Sequence, residues 1–383
     1  IQISEASVKR LLLSPAFTSS YQRIAATLHG LNFPLKFPSP LAELNLLSIL
    51  SLVNIGSGYR VPLHEQTGRG AWDSIRAFVF GLYLTSSSGD GDLLSARGML
   101  SISDTQIAEL LGVNIHVEKP HESISGLTIG GVGGPGWELV QHLKNLLHGT
   151  GQALVEGGYR DLGSFVAEAL LEGQRAAKVN DDQDAAEILV RAIPGFQDMA
   201  VVNGQNVYCF KKALFLTNGL TIRFGSLTPP PFPIPRTSHL PVFTDNVLPS
   251  MLVHLGVIDL SSADLSLSSV FPDAGSPERL QSLLGSPPEV EGGTTAKPKI
   301  APKEGPVLNV EQAYVLRAAS IDACEIIVDI AHNLSAEELR GSELEWIKGI
   351  TLPDLDSWIW GGAKDRQDYR DLRRFVLRDT IFF

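Results

Sequence analysis

Residues 311–334 read EQAYVLRAASIDACEIIVDIAHNL, a run whose apolar side chains return every three or four positions. That spacing lines them along one side of a helix. Asn309 stands just before the run and is a residue type that starts helices by capping a free amide. The same period recurs in SVKRLLLS, AELNLLSILSLV, WDSIRAFVFGLYL, DTQIAELL, WELVQHLKNLLH, SFVAEALLEGQRAA and DAAEILVRAI. Ser103 or Asp104 is the expected start of the DTQIAELL helix. Strand-like alternation is scarce. The pattern predicts an all-α fold of roughly ten to fourteen helices.

Two stretches break the period. SLTPPPFPIPRTSHLP (226–241) is proline-rich, is expected to run extended over the surface, and delivers the chain to FTDN (243–246). Residues 271–306 are rich in Ser, Gly, Pro, Glu and Lys without periodicity, and read as a disordered insertion. Helical segments of one style flank it, so residues 1–383 are expected to form a single interrupted helical domain.

The 31 basic and 42 acidic residues leave a net charge of −11. A duplex nucleic acid is therefore not an expected partner, because tracking its phosphates calls for a basic face. A small anionic ligand needs only one or two local cations. No apolar run reaches the length of a membrane span, and IQISEASVKR shows no basic-then-apolar leader pattern. A cytoplasmic monomer is expected, with the nucleus as an alternative location. Cys209 and Cys324 are too few for a disulfide framework and read as buried thiols.

Several motifs resemble sites without becoming them. GGVGGPG (130–136) has the spacing of a dinucleotide fingerprint, but Pro135 removes an amide donor and no parallel sheet is in prospect, so a loop entering a helix is expected. The histidines show no metal spacing, and no GxSxG nucleophile motif occurs. No metal and no cofactor is expected.

Asp245 in FTDN is different in its company. An Asp before an apolar helix is ordinarily a cap, and Phe243 two places earlier would then be a packing residue. Upstream lie Lys211 and Lys212, which solvent usually takes. Downstream, Asp356 and Trp360 are four apart and share a face if helical, with Asp365 ending a Gly-Gly-Ala-Lys turn. A carboxylate beside an aromatic suits a flat purine-like base, although a buried Trp beside a capping Asp explains the pair as well.

Taken together, LSLVNIGSGYR, GRGAWDSI, LGSF, ILVRAIPGFQD, FKKA, FTDN, LRAAS, LDSWIWGGAKD and the terminal RDTIFF resemble the queuosine salvage family, the queuosine 5′-phosphate N-glycosylase/hydrolases. The resemblance runs from about Leu44 to the C-terminus and passes over the insertion. It implies a helical core like that of helix-hairpin-helix DNA glycosylases and release of queuine from queuosine 5′-phosphate, for reuse in tRNA modification. It makes Asp245 the catalytic carboxylate. Phe243, Asp356, Trp360, Gly361 and Asp365 become contacts to the base, and Lys211 a contact to phosphate or sugar. On charge alone, Arg60 or Lys364 is an additional candidate cation for the 5′-phosphate. The chain departs from the family pattern at Leu214, at Val53-Asn54-Ile55 and at Gly361, where an acidic residue is common. Two other readings share these residues: a modified-base binding protein that has lost catalysis, and a nucleic-acid base glycosylase.

Overall fold

Several helices in this chain begin where a short polar side chain accepts one of the first-turn amides that no helical carbonyl can reach. Ser4 accepts from Ser7, Ser39 from Ala42, Ser103 from Gln106, Asn309 from Gln312 and Thr351 from Asp354. At Ser103 and Asn309 the bond is returned by the Gln side chain, a capping box at each start that the sequence marks. The computed structural model describes every residue except 28–29, 87–90, 122, 179–184, 288–300 and 340–341.

The described residues are mostly helical. The helices outnumber the expected ten to fourteen because one-turn pieces such as Pro15–Thr18, Tyr21–Ala25, Leu265–Ser268 and Gln367–Arg370 are too short to show a period. Among the described residues the strands form three antiparallel pairs: Gln2–Ile3 with Ile258–Asp259, His116–Pro120 with Thr128–Val132, and Met199–Val202 with Gln205–Tyr208. In the last, Asn203 and Gly204 both adopt positive φ (50° and 78°), the geometry of a two-residue hairpin turn. Within VYCFKKALFLTNGL, Tyr208 ends a strand and the helix Lys211–Phe224 follows. GGVGGPG joins an antiparallel strand to the helix Gly134–Glu156, with proline in its first turn.

The chain divides into two units. The first comprises Ile1–Pro34, Met199–Leu214 and Arg236–Leu377, and the second Leu35–Asp198, Phe215–Pro235 and Arg378–Phe383. In the second, the helix Pro40–Leu52 is buried at every residue from Leu44 to Leu52. Asn45 there donates to the Leu94 carbonyl (3.0 Å) and accepts from the Gly163 amide (2.9 Å). A Cβ at Gly163 would lie 2.7 Å from Asn45, which explains the glycine of LGSF. No single helix among the described residues is long and apolar enough to cross a membrane.

In the first unit, the long run of residues 311–334 is the helix Val310–His332, with Tyr314, Arg317, Ser320, Cys324 and Ile327 among its buried positions. Inside the stretch read as an aperiodic insertion, Pro277–Leu284 is a helix that buries Leu280, Leu283 and Leu284. Its apolar triplet spans a single turn, too short to show a helical period. Residues 288–300 of that stretch lie outside the described residues. Across 226–241 there is neither helix nor strand.

Candidate functional site

Lys211, Phe243, Asp245, Asp356, Trp360, Gly361 and Asp365 all belong to the first unit, and the FTDN loop is held at each of its four positions. The Phe243 amide donates to Asp356 Oδ2 at 2.6 Å. The Thr244 carbonyl accepts from Arg317 Nε and Nη2 at 3.1 and 2.9 Å, and its hydroxyl meets Ser320 Oγ at 2.7 Å. Asp245 Oδ1 accepts from the Val247 amide at 2.6 Å, and Asn246 Nδ2 donates to the Phe375 carbonyl at 2.8 Å.

Asp245 is thus a helix-start residue, but not the cap itself. That position falls to Asn246, whose side chain makes no capping bond, while Asp245 reaches over it to the first amide of Val247–His254. Its other oxygen, Oδ2, lies 3.9 Å from Lys211 Nζ, with both side chains buried. Burial brings down the local dielectric and strengthens this attraction relative to a surface pair. Lys211 opens its helix directly after Phe210, a bulky residue held at φ +46°. Backbone of this kind is rare outside glycine and is retained where surroundings over-determine it. The Phe210 ring lies against Tyr208, centroids 5.5 Å apart.

The helix Leu352–Asp365 runs unbroken through Gly361 and Gly362, so the expected Gly-Gly-Ala-Lys turn is helical instead. It sorts the predicted residues onto different faces. Asp356 is 2% exposed and turns to the FTDN loop; its carboxylate adds to burial in pushing the Cys324 thiol well above its usual range. Trp360, one turn on, is half-buried and carries the Lys364 ammonium 3.0 Å from its ring centroid.

Ser357, Gly361 and Asp365, spaced four apart, meet the N-terminal helix Tyr21–Ala25. Ser357 donates to the Ala25 carbonyl at 3.2 Å, and a Cβ at Gly361 would lie 2.5 Å from Ile24 Cγ2. Asp365 accepts two bonds from Arg23, at 2.8 and 2.6 Å. Arg23 holds the Asp365 carboxyl below the usual carboxylate range. Trp358 adds a bond from Nε1 to Ser20 Oγ (2.9 Å) and stands edge-on to Phe17. Arg60 starts the helix Arg60–Thr67 in the second unit.

Sequence reasoning misses Arg317 and Ser320, although LRAAS is part of the resemblance. The available signal is a charged residue on the apolar face of a long helix. His254 is missed as well. It ends the helix that Asp245 begins, its Nε2 donates to the Arg373 carbonyl (2.8 Å), and burial lowers its pKa to about 4. Its Nδ1 is buried without a hydrogen-bond partner. Among the described residues no group of three or more His, Cys, Asp or Glu could hold a metal ion.

The chemistry available here is that of a fixed, buried carboxylate with a buried ammonium beside it and aromatic side chains on the same unit. Residues 137–268, which include Lys211, Phe243 and Asp245, match the family model described as queuosine salvage protein. No curated protein matches the chain.

Proposed function

From the match of residues 137–268 to the queuosine salvage family model, we propose that this chain hydrolyses the N-glycosidic bond of queuosine 5′-phosphate, releasing queuine and ribose 5-phosphate. The observation that carries the reading is the Asp245 carboxylate, buried, fixed through Oδ1 and facing Lys211 through Oδ2.

Cleavage sends the C–N electron pair to the base and leaves positive charge on the ribosyl C1′ and ring oxygen. An anion fixed in a low-dielectric site stabilises that charge without reorganising at the moment of reaction. Asp245 Oδ2 is the oxygen for this role, because Oδ1 is committed to the Val247 amide. Water supplies the hydroxyl that ends on C1′ and the proton that ends on the base. Lys211 contacts the sugar phosphate and keeps a dianionic nucleotide compatible with the neighbouring carboxylate.

Phe243 and Trp360 pack against the base. Asp356 serves them by fixing the Phe243 amide, so its part in base recognition includes placing the loop. Asp365 and Gly361 are engaged with Arg23 and Ile24, and we assign them to seating the helix that carries Trp360. Incubation with queuosine 5′-phosphate and, separately, guanosine 5′-phosphate tests the assignment by chromatography of the free base. Queuine is the expected product, and full recovery of intact queuosine 5′-phosphate refutes the reading.

A further inference from the structure

We propose that Arg317 is a positioning residue for Asp245, acting through the Thr244 carbonyl; the inference rests on the reading of Asp245 as the catalytic carboxylate. Arg317 is fully buried on the helix Val310–His332. A guanidinium removed from water is costly unless its donors are used, and two of them converge on one acceptor, the Thr244 oxygen, at 3.1 and 2.9 Å. Two donors from a planar fork fix the direction of the carbonyl, which a point charge on a flexible stem does not. The carbonyl belongs to the peptide that joins Thr244 to Asp245. Holding its plane sets where the Asp245 side chain starts.

Ser320 closes the arrangement. Its hydroxyl donates to the Arg317 carbonyl at 2.7 Å, so its single proton is used there. The 2.7 Å contact with Thr244 must then run from the Thr244 hydroxyl to Ser320 Oγ. Thr244 is held at both its carbonyl and its side chain by one turn of one helix. The Val247 amide then fixes the carboxylate through Oδ1.

The same helix face also reaches the lysine side of the site. The Arg317 guanidinium lies 4.7 Å from the Tyr314 ring centroid, and Tyr314 clusters with Val202 and Cys209, the latter two residues before Lys211. Arg317 and Ser320 therefore hold the Asp245 side of the 3.9 Å separation from Lys211, and Tyr314 packs close to where the Lys211 helix begins. A catalytic group displaced by about 1 Å can lose about a hundredfold in rate.

The test is steady-state kinetics of queuine release by Arg317→Lys, Asp245→Asn and the double variant, with thermal unfolding of each. Arg317→Lys is expected to lower kcat by about a hundredfold with KM within about threefold of wild type. In the Asp245→Asn background the same change is expected to cost nothing further, because the group it positions is gone. A folded Arg317→Lys protein with wild-type kcat overturns the proposal, as does an equal further loss in the Asp245→Asn background. Should Arg317→Lys fail to fold, Thr244→Val breaks only the hydroxyl bond to Ser320. About tenfold lower kcat at unchanged KM supports the proposal there, and unchanged kcat overturns it. Failure of the underlying reading looks different: wild type releases no queuine, or Asp245→Asn turns over like wild type, and either result removes the proposal with it.

Discussion

The Lys211 ammonium stands 3.9 Å from the Asp245 carboxylate, with 5% of one side chain and 7% of the other exposed. A pair this buried escapes most screening by salt and is sensitive to loss of either charge. Lys211→Met is expected to destabilise the protein by about 3 kcal/mol, because it leaves the carboxylate without its nearest cation. It is also expected to lower kcat/KM for the nucleotide by about a hundredfold. Urea unfolding and steady-state assays check both values, and turnover within about threefold of wild type would remove Lys211 from the site.

Gly361 has no room for a side chain. An added Cβ would come within 2.5 Å of Ile24 Cγ2 in the helix Tyr21–Ala25. Gly361→Ala is expected to cost roughly 1–3 kcal/mol by overpacking, against the gain that alanine otherwise brings to a helix interior. Ile24→Ala in the same chain is expected to recover part of that loss. Measured stability in which the two changes simply add would contradict the contact.

Asp365 is expected to matter little to the reaction. Its carboxylate is taken up by Arg23 on an exposed part of the helix end, where such pairs contribute about 0–1 kcal/mol. Asp365→Asn should leave KM for queuosine 5′-phosphate within about twofold of wild type. A large rise in KM would return Asp365 to base recognition.

His254 gives the protein a pH dependence with a definite sign. Its pKa in the folded state is about 4, lowered mainly by burial, against the usual 6.5. The unfolded chain therefore binds this proton more readily, and stability is full above pH 6.5. It falls between pH 6.5 and about 4. The slope over that window approaches about 1.4 kcal/mol per pH unit for one such group. Stability measured across the window should flatten in His254→Gln, and an unchanged slope would show that another group carries it.

The helices that buried one face over several turns were legible from spacing, and two of their starts from the polar residue ahead of them, Ser103 and Asn309. The hairpin at Asn203-Gly204 carries its signal openly, a turn pair between VV and QNVY, but the helical run that follows obscures it. For the site, Lys211, Asp245, Phe243 and Asp356 do come together, within one unit. What spacing cannot convey is what a side chain is already bound to. Asp356 and Asp365 look alike in sequence, yet one grips the Phe243 amide and the other an N-terminal arginine. Arg317 stays hidden for a related reason: a charge on an apolar helix face reads as an exception until its acceptor, a carbonyl 73 residues away, is in view.

Asp245→Asn tests the central claim most directly. Asparagine can still accept from the Val247 amide, so the helix start survives, while the negative charge beside Lys211 is lost. Stability is expected to fall by about 1–3 kcal/mol, less than unfolding requires. Release of queuine from queuosine 5′-phosphate is expected to fall by at least about a thousandfold. A folded Asp245→Asn protein that releases queuine at the wild-type rate would contradict the assignment of this carboxylate to catalysis.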